Sequence, residues 1–230
     1  MIQAKIIPSE ECNRSPMDVN YYNAVRGIWS PLIEHGDIIT GYWMPGNNYQ
    51  KDNDYYGGYP RDYLERMRAL FPHAVNVLHL FSGMVVIGRW PHEERVDINL
   101  ELPAEHHYNA EQIAALDKFR KWELILADPP YEENHEKYST EKANKKKVVH
   151  GCASVIRPGG FLVWLDTRIP IWAKSDGWKL RGTIGLVQST NCLTKTTTIL
   201  EKARDCRTSR KDHETPRNKM HLKGERKRTR

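Results

Sequence analysis

Short apolar runs of strand length, each stopped by turn residues and separated by stretches of helical periodicity, constrain this chain more than any other feature. Val75–Phe81 ends in Ser82-Gly83, Arg95–Asn99 is a second, shorter run, Trp122–Ala127 is closed by Asp128-Pro129-Pro130, and Phe161–Leu165 runs into Asp166. Between them, Leu64, Met67 and Phe71 share one helical face after Pro60 until Pro72 stops the segment. Val148, Cys152, Val155 and Ile156 fall at helical spacing between Lys142 and Arg157, and Pro158-Gly159-Gly160 then ends that helix. Two β-branched stretches, Thr183–Gln188 and Lys195–Leu200, joined by Ser189-Thr190-Asn191-Cys192, predict a closing hairpin. This alternation predicts an α/β fold, a doubly wound and mostly parallel sheet with helices on both faces and a terminal antiparallel hairpin as its edge. Ligands of such sheets gather at the carboxyl ends of the strands. The candidate site positions are therefore Phe81-Ser82-Gly83, Asp97, Asp128-Pro129-Pro130-Tyr131 and Asp166.

Composition narrows the function classes. With 230 residues and 39% hydrophobic content the chain can bury one sizeable core. No apolar run approaches the roughly 20 residues of a membrane span. The first ten residues carry Lys5, Pro8, Ser9 and Glu10 where a secretory leader needs unbroken apolar sequence, so the expectation is a cytoplasmic protein without membrane contact. Cys12, Cys152, Cys192 and Cys206 are scattered, with no Cys-x-x-Cys pair, and read as reduced thiols. His106-His107 stand together, but no histidine pattern has metal-ligand spacing, and no metal is assigned.

Nine of the 22 aromatic residues lie in the first 60 positions among Gly, Pro, Asn and Asp, which reads as an irregular segment, 1–60, that packs on the core at 61–201. The formal charge of +6 is uneven: residues 201–230 hold 12 Lys plus Arg against 5 Asp plus Glu. The tail at 202–230 lacks apolar periodicity and reads either as a solubilising extension or as an electrostatic grip on phosphates.

Asp128-Pro129-Pro130-Tyr131 at a strand end is the most informative tetrapeptide. With it, the chain from about Tyr59 to Glu201 resembles a class I S-adenosylmethionine-dependent methyltransferase of the exocyclic-amino type, which methylates N6 of adenine or N4 of cytosine. The resemblance implies a seven-stranded Rossmann-like fold, S-adenosylmethionine as cofactor, and nucleic acid, DNA before RNA, as substrate, with no obligate protein partner. The Asp form of the motif is commonest among adenine enzymes. An aromatic exocyclic amine is a poor nucleophile because its lone pair is delocalised into the ring. Accepting hydrogen bonds from both its N–H groups favours the pyramidal, reactive geometry. The resemblance gives Asp128 and the Pro129 carbonyl this accepting role, Pro130 a part in stiffening the turn, and Tyr131 a stacking role against the target base.

Leu80-Phe81-Ser82-Gly83 resembles the family's first motif, whose glycine admits the methionine part of the cofactor; Val85 stands where the family's second glycine is usual. Asp97, followed by Ile98, resembles the acid that accepts both ribose hydroxyls. Asn109-Ala110 lies where the family contacts the adenine amino group. The resemblance also implies that Tyr55–Pro60 folds over the cofactor, with Tyr59 in contact; aromatic packing beneath a long loop is the alternative. Lys145, Lys146 and Lys147 could meet phosphates or form a solvated helix face. Only 45 positions separate Gly83 from Asp128, which leaves no room there for a target-recognition domain and suggests a compact, weakly specific enzyme or recognition by the first 60 residues. Competing readings are methylation of RNA or of a protein glutamine, and a cofactor-binding but inactive nucleic-acid scaffold, which Val85 favours.

Overall fold

The computed structural model describes residues 15–45, 58–116, 122–130, 143–187 and 194–203. The order is α1 (Val19–Arg26), β1 (Leu32–His35), β2 (Ile38–Trp43), α2 (Tyr63–Leu70), β3 (Asn76–Leu80), β4 (His92–Asp97), β5 (His106–His107), α3 (Ile113–Leu116), β6 (Trp122–Ala127), α4 (Lys145–Val155), β7 (Ile156–Asp166), β8 (Trp178–Val187) and β9 (Thr194–Lys202). All strands form one sheet, in the order β1-β2-β8-β9-β7-β6-β3-β4-β5. Only β1 and β9 run against the other seven. The α/β class and the mostly parallel sheet are thus observed, and among the described residues no helix is long and apolar enough to cross a membrane.

Three expectations are corrected. The sheet has nine strands, not seven, because residues 32–43, read as irregular, form a hairpin that joins it. That hairpin was obscure in sequence because β1 is only four residues long and β2 is interrupted by Gly41. The pair β8 and β9 is not an edge: β9 inserts between β7 and β8, and β8 continues into a parallel pairing with β2. Pro158-Gly159-Gly160 does not separate helix from strand. It lies inside β7, whose register against β6 shifts between Trp122 and Leu124, so a bulge replaces the expected turn.

Local chemistry explains the helix ends. Asp18 accepts the Tyr21 N–H (2.9 Å) at the start of α1 and Asn144 accepts the Lys147 N–H (3.1 Å) at the start of α4. The helices α1 and α2 cover one sheet face, where Tyr22, Trp43, Tyr63, Leu70, Phe71 and Phe161 are fully or almost fully buried. The opposite face is covered by α3 and α4 over Leu78, Leu80, Ile125, Leu162, Trp164 and Leu200.

The crossover from β3 to β4, residues 81–91, contains no helix. Its backbone is satisfied by side chains of β4 instead. Glu93 accepts the N–H groups of Gly88 (3.2 Å) and Trp90, and the Arg95 guanidinium donates to the Val85 carbonyl (2.9 Å). Beneath this loop His79 is fully buried, with Nε2 3.5 Å from Glu93 Oε2 and its ring between Tyr59 and Trp90. Burial holds the imidazole pKa below 6.5, against the opposing pull of Glu93 and with Arg89 and Arg95 acting in the same direction as burial. The unfolded chain therefore takes up a proton near pH 6.5 that the folded chain refuses. This share of stability is complete above pH 6.5 and is lost as pH falls from there toward the folded value. The thermal midpoint should accordingly drop on acidification from neutral pH, and His79→Gln should flatten that drop; equal slopes for parent and variant would remove His79 as the cause.

Candidate active site

The sheet reverses its winding between β3 and β6: from β3 the chain builds outward through β4 and β5, then returns to the other side of β3 with β6 and β7. Crevices at such a switch point, outside the carboxyl ends of the strands, are where ligands bind. The ends that meet there are Phe81-Ser82-Gly83 after β3, Asp97 at the end of β4 and Asp128 just after β6, on three adjacent strands.

The turn after β3 is tightly specified. Phe81 and Gly83 both take the left-handed conformation, with φ of 57° and 54°, so the chain doubles back at once. Asp97 fixes this shape from the next strand: Oδ2 accepts the Gly83 N–H (2.9 Å) and Oδ1 the Asn99 N–H (3.0 Å). A carboxylate has about four acceptor positions, so each oxygen keeps capacity for a further donor. Ser82 is buried, and its Oγ has no hydrogen-bond partner among the described residues. Leu80 is fully buried under α4 and serves packing. Val85 is 7% exposed and turns into the α1–α2 side of the core, which is how a valine fits where a glycine was expected.

Beyond Asp97, Ile98 is exposed, and the Asn109 side-chain oxygen accepts the Glu111 N–H (2.9 Å), capping the short helical turn that starts with the buried Ala110. The oxygen assigned to an adenine contact thus already holds a local bond, which leaves it one lone pair for a further donor.

On the other side of the crevice, Tyr59 stacks on Tyr63 with ring centres 5.3 Å apart and meets His79 edge-on. Burial raises the Tyr59 pKa well above 10, and the nearby Asp128 charge raises it further. Tyr63 is raised in the same way, against a hydrogen bond from Thr197 Oγ1 (3.3 Å). Tyr59 Oη is buried and has no hydrogen-bond partner among the described residues. Asp128, Tyr59 and Tyr63 therefore form one electrostatic group drawn from β6, α2 and the segment before it. A cleft of about 280 Å³ opens beside Tyr59, lined by Tyr59, Pro60, Arg61, Met84 and Val85; Gly83, Asp97 and Asp128 are not among the residues that line it. Asp128 and Pro130 are half-buried and Pro129 is buried. Tyr131, Tyr55, Tyr56 and the tail from residue 204 lie outside the described residues.

Several participants were not legible in sequence. Neither Tyr63 nor Thr197 belongs to a motif that singles it out. Lys145, considered for phosphates, instead binds the buried Asp166 (2.7 Å), which also accepts the Trp164 Nε1–H (3.3 Å); Lys147 lies 3.4 Å from Glu111, and Lys146 is exposed. The only sequence signal for the first pairing was an acid at a strand end facing a lysine at a helix start.

No family model matches the chain, and no curated protein does. Solved structures do. TrmN from Thermus thermophilus matches over 56% of this chain and 44% of its own, at 17% identity and a TM-score of 0.41. A putative methyltransferase from Thermoplasma acidophilum matches over 57% and 70%, at 13% identity and a TM-score of 0.36. NSun6 from Pyrococcus horikoshii matches over 56% and 48%, at 13% identity and a TM-score of 0.37. The chain thus spans less than half the length of TrmN and of NSun6.

Proposed function

We propose that this protein transfers a methyl group from S-adenosylmethionine to an exocyclic amino group of a nucleobase, adenine N6 in DNA. The observation that carries the reading is the convergence of Gly83, Asp97 and Asp128 on adjacent strand ends at the switch point. The residues present fit the cofactor. Asp97 keeps acceptor capacity for two ribose hydroxyls, and Ser82 Oγ and Tyr59 Oη are buried polar atoms waiting for partners at the edge of the same crevice. When bound, the cofactor supplies a methyl group on a sulfonium, electrophilic enough to need no metal or covalent intermediate.

The chain's own part is placement. The Asp128 carboxylate and the Pro129 carbonyl accept the two N–H groups of the amine, which directs its lone pair along the line of transfer. Once the new N–C bond has formed the nitrogen gives up one proton, and the Asp128 carboxylate that accepts one of its N–H groups is placed to receive it. The test is incubation with labelled S-adenosylmethionine and separate DNA, RNA and protein pools, followed by nucleoside analysis. N6-methyladenine from DNA is the expected product; label confined to RNA or protein would replace the substrate, and binding without transfer would make the protein a scaffold.

The tail enters this reading only through charge. The described chain leaves β9 at Ala203, at the end of the sheet opposite Asp128. Deleting residues 204–230 should leave cofactor affinity unchanged and flatten the salt dependence of nucleic-acid binding, by about one unit of slope or slightly less for every phosphate that the tail's cations neutralise. Equal salt slopes would leave the tail as a solubilising extension.

A further inference from the structure

The methyl-transfer reading gives no ligand to the cleft beside Tyr59. Its walls come from residues 58–62, 64 and 65, at the start of α2, and from Met84, Val85 and Arg89 in the crossover after β3, while Gly83, Asp97 and Asp128 stand outside it. It is a compartment of its own. Met84 directly follows the Gly83 turn, so cleft and crevice are neighbours at the same end of the sheet. Its volume of about 280 Å³ lies just below the roughly 300–1,000 Å³ of pockets that take a drug-sized ligand, so the cleft holds a fragment and not a whole cofactor.

The charges around this cleft do not balance. Two acids line it, and both are taken: Glu65 binds Arg89 (2.8 Å), and Asp62 binds Arg26 (3.0 Å) and Arg66 (3.1 Å). Arg89 also donates to the Val86 carbonyl, which ties the crossover to the start of α2. Arg61 is exposed and makes no hydrogen bond or ion pair among the described residues. Four guanidinium groups, those of Arg26, Arg61, Arg66 and Arg89, thus stand against two carboxylates at a concave site, which leaves it positive. The remaining side chains, Pro60, Leu64, Met84 and Val85, carry no charge. An apolar or cationic occupant gains nothing from the surplus, whereas a phosphate offers a planar guanidinium two oxygens at once.

We propose that this cleft binds a backbone phosphate of the substrate strand, with Arg61 as its ligand, beside the nucleotide whose base enters the crevice. This rests on the reading of the substrate as nucleic acid. The contact positions the strand and reads no sequence, since the phosphate is the same in every nucleotide. Glu65 tempers the site by holding Arg89, so removing the acid's charge releases a second guanidinium for the same anion.

The experiment measures affinity for one labelled DNA oligonucleotide, as duplex and as single strand, by anisotropy across a salt series. Calorimetry of S-adenosylmethionine binding is the second readout, and circular dichroism checks the fold of each variant. The full chain is used throughout, so the basic tail contributes equally to every variant. Arg61→Ala should weaken binding about tenfold, for an unrelated sequence as much as for the first, and lower the salt slope by about 0.7 on the single strand and about 0.9 on the duplex, the values for one phosphate. Its cofactor affinity should stay at the parent value. Glu65→Gln should act the opposite way, with tighter binding and a steeper slope. Lys179→Ala removes a cation near the start of β8, at the other end of the sheet, and should leave both quantities close to the parent's. Parental slope and affinity in folded Arg61→Ala overturn the phosphate site, as does an equal loss in Lys179→Ala, which is an effect of net charge alone. Weaker binding by folded Glu65→Gln overturns it as well. A fall in S-adenosylmethionine affinity in Arg61→Ala with an unchanged salt slope overturns it in favour of the cofactor's carboxylate. A parent that binds no nucleic acid removes the substrate reading and the phosphate site together.

Discussion

Asp128→Ala is expected to lower methyl transfer by about 10²- to 10³-fold, the scale for losing one preorganised polar contact to a reacting group. Cofactor affinity should change by no more than about threefold, because in the proposed reading the carboxylate addresses the incoming amine and not the bound cofactor. The split between the two measurements is what identifies the role. Single-turnover rates with saturating cofactor report the first quantity and calorimetry the second. Asp128→Asn keeps one acceptor oxygen but presents an N–H₂ group in place of the other, so it should recover only part of the loss. An alanine variant that turns over near the parent rate would exclude Asp128 as the acceptor of the amine. The placement favours a large effect: Asp128 directly follows β6, the strand that pairs with β3 and so stands beside the Gly83 turn.

The second large effect is expected at Asp97. Its alanine variant should weaken S-adenosylmethionine binding roughly a hundredfold, since the two bonds that the proposed reading gives it from the ribose hydroxyls, each worth about 1.5 kcal/mol or more to a charged acceptor, disappear. A further cost adds to this. Asp97 also accepts the Gly83 and Asn99 N–H groups, so its removal frees a turn that depends on left-handed backbone at Phe81 and Gly83. Asp97→Asn retains an oxygen for one of these donors and should fall between alanine and parent. Parent-like affinity in a folded Asp97→Ala protein would place the cofactor elsewhere.

The parts of this protein legible in its sequence are those that depend on neighbours along the chain. Apolar period and turn residues located β3, β6 and α2 to within a few residues, and they set Gly83, Asp97 and Asp128 at strand ends, because periodicity and turn chemistry are local. The parallel sheet then follows from alternation with helices, and a common crevice follows from the sheet. What local pattern does not carry is which strand lies beside which. A strand edge offers the same N–H and C=O groups to any partner, so the insertion of β9, the pairing of β8 with β2 and the addition of β1 were settled only when the whole sheet closed over its two cores. The same long-range packing decided the individual roles. Val85 packs into the core beside α1 and α2, Lys145 is held by Asp166 21 positions away, and Thr197 reaches Tyr63 across 134 positions. Tyr42 and Trp43 are adjacent aromatics that no sequence rule separates. Alternation sends Trp43 into the core beneath α1 and α2 and Tyr42 to the opposite side of the sheet, where it is exposed.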